Sequence, residues 1–305
     1  MTDIAILIVG YRSTGHLPAC LAAIPAALGG LSPEIRYVDN SGETASGSLV
    51  RAAFPRASIF PSVGNVGFGQ ANNLLAEDAE APWLLLLNPD AAPSPGAIAT
   101  LVEAAEKARC GIAGGLAISP GGESLAMSRL QMPSTGNFLR MIFGLAPPLR
   151  EADEPVRAEA ISGAFMLIDR KLWRTLGGFD ERFFLYAEEL DLCRRAAKAG
   201  ATILHVPDAR YFHDVGSGKP VTSERMLYSL RGSATFYAKH FRPTRAAFYR
   251  ALHWLSCWTR FLPAVIASPF SAKARQRARA FRQACTNPAS WMRGYAAKGS
   301  DPRRG

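Results

Sequence analysis

Apolar runs of strand length alternate with polar loops and helical spacings through the first two thirds of the chain. Residues 4–9 form one continuous apolar run, followed by a polar turn over 10–15 and a segment of helical periodicity over about 16–28. Residues 34–38 read as a second strand, which ends in the turn cluster Asp39-Asn40-Ser41-Gly42. A short helix and a third strand near Ile59 come next. Gly64-Asn65-Val66-Gly67-Phe68-Gly69 is then a Gly-rich loop that opens another helix, and a fourth strand over 83–87 runs into Asn88-Pro89-Asp90. Residues 111–118 make a fifth strand. This wiring predicts an α/β fold with a mostly parallel central sheet. Each loop falls at the carboxyl end of its strand, the side on which open α/β sheets bind ligands.

Periodicity fades over 119–159, where Gly121-Gly122, Pro133, Gly136, Pro147 and Pro148 punctuate the chain; a segment of this kind suits the wall of a second-substrate pocket. From residue 160 the pattern becomes dense. A strand is predicted over 161–168 and a short helix over 171–176, stopped by Gly177-Gly178. An aromatic connection over 179–185 leads to a second helix from about Tyr186, whose first turn carries Glu188, Glu189 and Asp191. Acidic residues there suit the helix dipole by roughly 0.3–1 kcal/mol each, which is the plain structural explanation. The lead-in Phe183-Phe184-Leu185-Tyr186 favours another one, in which carboxylates at an apolar wall serve acid–base chemistry. Glu188, Asp191 and Arg195 share one helix face, whereas Glu189 shares its face with Leu192, Cys193 and Ala196. A strand over 201–206 and the run Arg210-Tyr211-Phe212-His213-Asp214 close this part.

Composition narrows the class. The 305 residues are 48% apolar and 20% charged, as in a globular protein with a large core. Five scattered cysteines without a CxxC pair point to a reducing compartment and away from a zinc cluster. The N-terminus has no basic segment ahead of its apolar run, so no secretory signal is expected. The net charge of +10 hides a division: from Lys219 onward 17 Lys and Arg face two acids, a balance of +15, and the first 218 residues carry −5. Residues 249–270 mix Trp254, Leu255, Trp258, Phe261, Leu262 and Ile266 with Arg250 and Arg260, and Pro263 and Pro269 are expected to interrupt any helix. The stretch lacks the roughly 18 uninterrupted apolar residues of a spanning helix. Lys273, Arg275, Arg277, Arg279 and Arg282 follow on a helix. Two readings stay open for this region: an interfacial helix on an anionic inner leaflet, or a helical bundle with a solvated basic face. No nucleic-acid motif accompanies the charge, which argues against nucleic acid as a partner.

Each loop also has a structural explanation. The Gly-rich loop fits a close helix-to-strand turn, Asp39 a turn residue, Asp90 a cap for a helix starting near Ser94, and His213 a plain polar position. Together, however, these residues resemble the inverting glycosyltransferases of family 2, with the GT-A fold, and within them the rhamnosyltransferase-like branch. The resemblance covers about residues 4–218. It is carried in order by Ile8-Val9-Gly10-Tyr11-Arg12-Ser13, Val38-Asp39-Asn40-Ser41, Asn65-Val66-Gly67-Phe68 with Asn72-Asn73, Leu87-Asn88-Pro89-Asp90, Ser162-Gly163-Ala164, Gly178-Phe179-Asp180-Glu181 with Phe184-Leu185-Tyr186, Glu188-Glu189-Leu190-Asp191-Leu192-Cys193 and His213. Gly10 departs from the family's usual Asn, and Glu189 from its frequent Asp.

The resemblance implies a GT-A catalytic domain over 1–218, with the nucleotide-sugar side in 1–118 and the acceptor side in 119–218, followed by a helical basic extension over 219–305. It implies a nucleotide pocket formed by Tyr11, Arg12, Asp39, Asn40, Asn65, Gly67, Asn72, Asn88 and Asp90. Asp90, joined by His213, would hold Mg²⁺ or Mn²⁺ on the diphosphate. Glu189 falls at the family's general-base position, with Glu188 and Asp191 beside it. The donor expected is dTDP-L-rhamnose, or alternatively a UDP-sugar, and the acceptor a glycan or polyprenyl-linked sugar at the cytoplasmic face of the cell membrane. A non-catalytic nucleotide-sugar-binding assembly protein on the same fold is the competing class.

Overall fold

The structure, a computed structural model, describes residues 2–119, 121–145, 152–213 and 222–296. In chain order the elements are β1 (Ile4–Gly10), α1 (Leu17–Ala27), β2 (Pro33–Asp39), α2 (Thr44–Ala53), β3 (Ser58–Phe60), α3 (Phe68–Ala76), β4 (Trp83–Leu87), β5 (Ala91–Pro93), α4 (Ala97–Ala108) and β6 (Ile112–Ile118). Then come β7 (Arg129–Leu130), α5 (Thr135–Ile142), β8 (Val156–Arg157), β9 (Ala160–Ile161), β10 (Phe165–Asp169), α6 (Arg170–Leu176), α7 (Glu188–Lys198) and β11 (Ile203–His213). Four helices end the described chain: α8 (Ser223–His240), α9 (Pro243–Ile266), α10 (Ala272–Thr286) and α11 (Ala289–Met292). The residues cluster into two compact units. One holds 1–131, 150–180 and 189–215, the other 132–149, 181–188 and 216–305.

The first unit is built on a nine-stranded sheet whose path runs β3-β2-β1-β4-β10-β6-β11-β5, with β8 paired to β11. β1 and β4 lie at its centre and are buried at every position, which is why both read as unbroken apolar runs. Helix α1 buries Leu17, Cys20, Leu21, Ile24 and Ala27, the stripe that helical spacing predicts. From β3 to β4 the sheet is parallel throughout. Beyond β4 it is mixed: β10 runs antiparallel to both β4 and β6, and β11 antiparallel to β5 and β8. The parallel expectation thus holds on the side where each strand is followed by a helix, and gives way where strands are joined by irregular segments.

Four other expectations need correction. The predicted strand over 161–168 is two strands, β9 and β10, because Ser162-Gly163-Ala164 turns between them. The strand begun near Ala201 extends to His213, across an irregularity between Val206 and Arg210. Asp90 caps no helix: α4 starts at Ala97 behind Gly96, and the residues after Asp90 form β5 instead. Finally, α7 starts at Glu188, because Tyr186 and Ala187 adopt left-handed φ of 68° and 69°. No glycine announces that geometry, which costs an L-residue about 1–2 kcal/mol.

The second unit is helical. Its core gathers Leu227 and Leu230 of α8, Cys257 of α9, Ala284 and Cys285 of α10, and Trp291 of α11. Two indoles, one partly buried and one buried, tie the helices by donating to main-chain carbonyls, Trp254 to Cys285 and Trp291 to Ala284, each at 3.0 Å. Pro263 does not break α9, which continues to Ile266. Only the last turn lies beyond Pro263, so few helical bonds depend on passing it. The aromatic set read as one interfacial group is divided by packing. Trp254, Trp258 and Phe261 lie against the core, whereas Leu255, Leu262 and Ile266 are exposed.

Candidate active site

The carboxyl ends of β1, β2, β4 and β11 lie on one edge of the sheet, since β10 runs antiparallel between β4 and β6, and β6 runs parallel to β11. The loops carrying Gly10, Asp39, Asn88 and Asp90 therefore emerge on the same side as His213. The short strand β5 completes the arrangement. Ala91 is in register with His213, and Asp90 Oδ1 lies 3.2 Å from His213 Nε2. Residues 123 positions apart in sequence are thus brought together by three residues of antiparallel pairing. Asp90 is one-third exposed. His213 Nδ1 is enclosed and has no partner among the described residues. A carboxylate oxygen and an imidazole nitrogen so placed suit a divalent cation that takes its other ligands from phosphate oxygens and water. Among the described residues no third His, Cys, Asp or Glu joins them. The expected run Asp214 to Gly218 lies outside the described residues.

Asp39, at the end of β2, is the most heavily bonded carboxylate of the edge. Oδ1 accepts from the Ser41 amide (2.7 Å), the Ser41 hydroxyl (2.6 Å) and the Glu43 amide (3.1 Å), and Oδ2 from Ser46 Oγ (2.8 Å) and Tyr37 Oη (3.1 Å). Burial opposes its ionisation, but the bonds from Ser41, Ser46 and Glu43 outweigh that and hold its pKa below the usual value. Beside it opens a cavity of about 300 Å³ between β2, α2 and β3, lined by Tyr37, Asp39, Glu43, Arg51, Phe60 and Ser62. That volume is at the lower end of small-molecule sites, about 300–1,000 Å³.

Gly10, the departure from the family pattern, has a physical explanation. A Cβ there would lie 2.1 Å from Tyr37 Oη and 2.9 Å from Ser13 Oγ. The phenol of Tyr37 occupies the space a side chain at position 10 would take, and it bonds to Asp39. Sequence reasoning missed Tyr37; the unusual glycine was the signal that pointed to it.

The remaining nucleotide-side candidates divide into exposed and internal groups. Tyr11 is 50% exposed, with the Arg12 guanidinium 5.5 Å from its ring centre. Arg12 has a left-handed φ of 50°, and its amide donates to Ser41 Oγ. Asn40 donates to the Gly67 carbonyl and Asn65 accepts from the Gly67 amide, so both hold the Gly-rich loop. Asn72 donates to Phe68 O within α3. Oδ1 of Asn40 and Oδ1 of Asn72 are enclosed acceptors without a donor among the described residues. Asn73 exchanges two hydrogen bonds with the Phe179 main chain, at 2.8 and 2.9 Å. The Asn88 amide donates to Ala164 O, which ties the Asp90 loop to the Ser162-Gly163-Ala164 turn.

The acidic helix is anchored on one face. Asp191, fully buried, pairs with Arg195 at 2.8 Å, and Arg195 also donates to the carbonyls of Leu176 and Gly178. The helix face that Asp191 and Arg195 share by their four-residue spacing thus carries an ion pair, and it locks α7 to the Gly177-Gly178 turn. Glu189 belongs to the other face. Its Oε2 is enclosed and has no hydrogen-bond partner among the described residues, and desolvation raises its pKa above the ordinary carboxylate value. Its charge acts on the thiol of Cys193, which is hydrogen-bonded to the Ile161 backbone at the edge of the same Ser-Gly-Ala turn; burial pushes that thiol up to about 12.

Glu188 clusters with the helical unit and is 3% exposed. Within that unit Tyr295 Oη donates to the carbonyls of Leu185 (2.6 Å) and Tyr228 (3.0 Å). Its phenol pKa is raised, first by burial and then by the charge of Glu188. The Tyr186 carbonyl packs where Gly232 leaves room, since a Cβ at Gly232 would meet that oxygen at 2.1 Å. The left-handed pair before α7 is therefore held from α8 and from the end of the described chain.

Solved structures define the fold. The chain superposes on the mannosyltransferase PcManGT of Pyrobaculum calidifontis with a TM-score of 0.54 at 16% identity, covering 95% of this chain and 83% of that one. It superposes on TarS of S. aureus with a TM-score of 0.52 at 14% identity, covering 85% of this chain but only 44% of TarS. At such identities the likeness is one of fold, and the fold is that of the GT-A glycosyltransferases. The family described as "Glycosyltransferase like family 2" matches residues 2–279, and the chain belongs to it. An N-acetylglucosaminyl-diphospho-decaprenol L-rhamnosyltransferase of Mycobacterium tuberculosis is 31% identical over 237 residues, 70% of this chain and 76% of that protein. The rhamnosyltransferase WbbL of Escherichia coli K12 is 24% identical over 59% of this chain and 68% of its own length. The protein is a glycosyltransferase.

Proposed function

We propose that this glycosyltransferase moves L-rhamnose, with inversion, from a nucleoside diphosphate donor such as dTDP-L-rhamnose to a hydroxyl of a polyprenyl-diphosphate-linked sugar in cell-surface polysaccharide synthesis. The observation that carries the reading is the meeting of Asp90 and His213 on the sheet edge that also presents Asp39. The two rhamnosyltransferase relatives support the sugar, and the mycobacterial one supports the acceptor class. The catalytic part runs through residue 218, with the donor bound on the side of residues 1–118 and the acceptor on that of 119–218.

In this reading the base and ribose lie in the cavity beside Asp39, where a carboxylate kept ionised by its neighbours accepts from the nucleoside. Tyr11, Arg12, Asn40, Asn65, Gly67, Asn72 and Asn88 shape the rest of the nucleotide pocket. Asp90 and His213 would hold Mg²⁺ or Mn²⁺, which when bound supplies positive charge against the departing diphosphate. Glu189 takes the proton of the acceptor hydroxyl. The hydroxyl oxygen bonds to the anomeric carbon as the carbon–oxygen bond to the diphosphate breaks, and the nucleoside diphosphate leaves with that electron pair. One displacement inverts the centre. A desolvated carboxylate with a raised pKa and one oxygen left without a partner among the described residues suits a general base, whereas the ion-paired Asp191 suits an orienting role and Glu188 supports the loop ahead of it. The enzyme acts at the cytoplasmic face of the membrane as a peripheral protein; no helix among the described residues is long and apolar enough to cross a membrane.

A donor-hydrolysis screen across nucleotide sugars, with and without Mn²⁺, tests the proposal. Cleavage of dTDP-L-rhamnose that EDTA abolishes is the expected result. Cleavage of UDP-hexoses alone would replace the donor, and cleavage of none would favour the non-catalytic alternative.

A further inference from the structure

Helix α9 buries one face and leaves the opposite one uncovered. Phe248, Leu255, Leu262 and Ile266 follow one another by seven, seven and four residues, so they stand on a single stripe about 27 Å long at 1.5 Å per residue. Their exposures are 49, 47, 51 and 76%, and Phe270, in the elbow before α10, reaches 91%. The intervening members of that stripe, Ala251 and Thr259, are exposed and uncharged. A contiguous apolar strip of this length on a soluble surface marks a contact with something apolar.

What surrounds the stripe identifies the partner. From residue 225 to 296 the chain has 13 Lys and Arg and no Asp or Glu. Where α9 ends and α10 begins, a cavity of about 300 Å³ is lined by Arg260, Pro263, Ala267, Ser271, Lys273 and Arg277. Arg260 donates to the Ser256 carbonyl at 2.7 Å, which holds its stem along the cavity. Burial lowers its pKa, and the neighbouring charge of Arg277 adds to that against an opposing effect of Cys257. Lys273, Arg275, Arg277, Arg279 and Arg282 along α10 are all exposed. Apolar side chains beside a basic pocket match the acyl–phosphate boundary of an anionic bilayer: carbon on one side, phosphate on the other. A second copy of the same chain would set these cations against each other.

We propose that the α9–α10 elbow is the docking surface for an anionic lipid bilayer, with Leu262, Ile266 and Phe270 entering the acyl boundary and Arg260, Lys273 and Arg277 surrounding a lipid phosphate. The proposal rests on the reading that the acceptor is lipid-linked, since docking would bring the enzyme to it.

Co-sedimentation of the full chain with vesicles of phosphatidylglycerol and phosphatidylcholine, against phosphatidylcholine alone, is the test. Two surface variants are compared with wild type: Leu262→Ser/Ile266→Ser/Phe270→Ser and Lys273→Gln/Arg277→Gln. The wild type should bind the anionic vesicles and release them as salt rises, and each variant should bind at least about tenfold more weakly. Donor hydrolysis measured without vesicles should be the same in all three, which shows that the variants are folded and keeps this proposal separate from the functional one. Equal binding to both vesicle types would overturn the surface, as would variants that bind like wild type. So would a wild-type dimer in sedimentation velocity that the apolar variant alone dissolves while vesicle binding stays intact.

Discussion

Asp39 takes five hydrogen bonds in the sheet unit, and Arg195 joins one carboxylate and two carbonyls around the start of α7. The helical unit is organised otherwise. Its cations between residues 225 and 296 have no acid among them in sequence, and its apolar residues are divided between a core and an open stripe. In the first unit specificity is written in individual side chains whose neighbours fix their protonation and direction. In the second it is written in the summed charge and in which face of a helix packing leaves open. The two should therefore fail differently: single substitutions should be severe in one, and graded in the other.

The largest effect belongs to Asp90. Its replacement by Ala should lower metal-dependent turnover by at least about 10³-fold, the scale of several kcal/mol that a cation contributes to a developing diphosphate charge. Full activity of that variant in EDTA would break the metal assignment. Next is Asp191→Asn, which leaves Arg195 without its buried partner and should cost about 3 kcal/mol of folding stability together with activity, read as a fall in the denaturation midpoint. A variant as stable as wild type would show that the α7 anchor is not set by this pair. In the helical unit Tyr295→Phe removes two hydrogen bonds that hold the loop ahead of the acidic helix. A loss of about 1 kcal/mol and a kcat reduced only a few-fold are expected, with donor KM unchanged. A loss as large as that of Asp191→Asn would erase the contrast between the units. This contact also means that truncating the chain after Arg242 would remove part of the helical core and the Tyr295 bonds, so point variants are the cleaner probe of the basic region.

Much of the first unit was legible because its strands are buried on both faces and its site sits where they end. Residues 83–87 could be read as a strand from five consecutive large apolar side chains, and Asn88-Pro89-Asp90 as its loop, without knowledge of anything distant. What could not be read is what depends on a partner far along the chain. β5 is three residues long and exists only by pairing with β11, so the Asp90–His213 contact had no local signal. Tyr37 fills the space over Gly10, a relation that needs the register of β1 against β2. Tyr186 and Ala187 take left-handed geometry without a glycine, held by Gly232 of α8 and by Tyr295 beyond α11. In α9 the prolines suggested an interrupted helix, and the mix of apolar and basic residues could not show which aromatic residues would turn inward, since that is settled by α8, α10 and α11.

The central claim is that Glu189, whose Oε2 is enclosed and without a hydrogen-bond partner among the described residues on the face of α7 opposite the Asp191–Arg195 pair, removes the acceptor proton. A raised carboxylate pKa makes the ionised form costly, so the penalty on folding is absent at low pH and grows as pH rises through the ordinary carboxylate range. It also places the acid limb of the kcat profile above that of a solvated carboxylate. The decisive measurement is single-turnover transfer by Glu189→Gln beside Glu188→Gln, with donor affinity and thermal midpoint recorded on the same preparations. The account predicts that Glu189→Gln loses at least about 10²-fold in the transfer step, binds donor as wild type does, and melts no lower than wild type at neutral pH. Normal turnover by Glu189→Gln with a dead Glu188→Gln would contradict it and move the base to the neighbouring carboxylate.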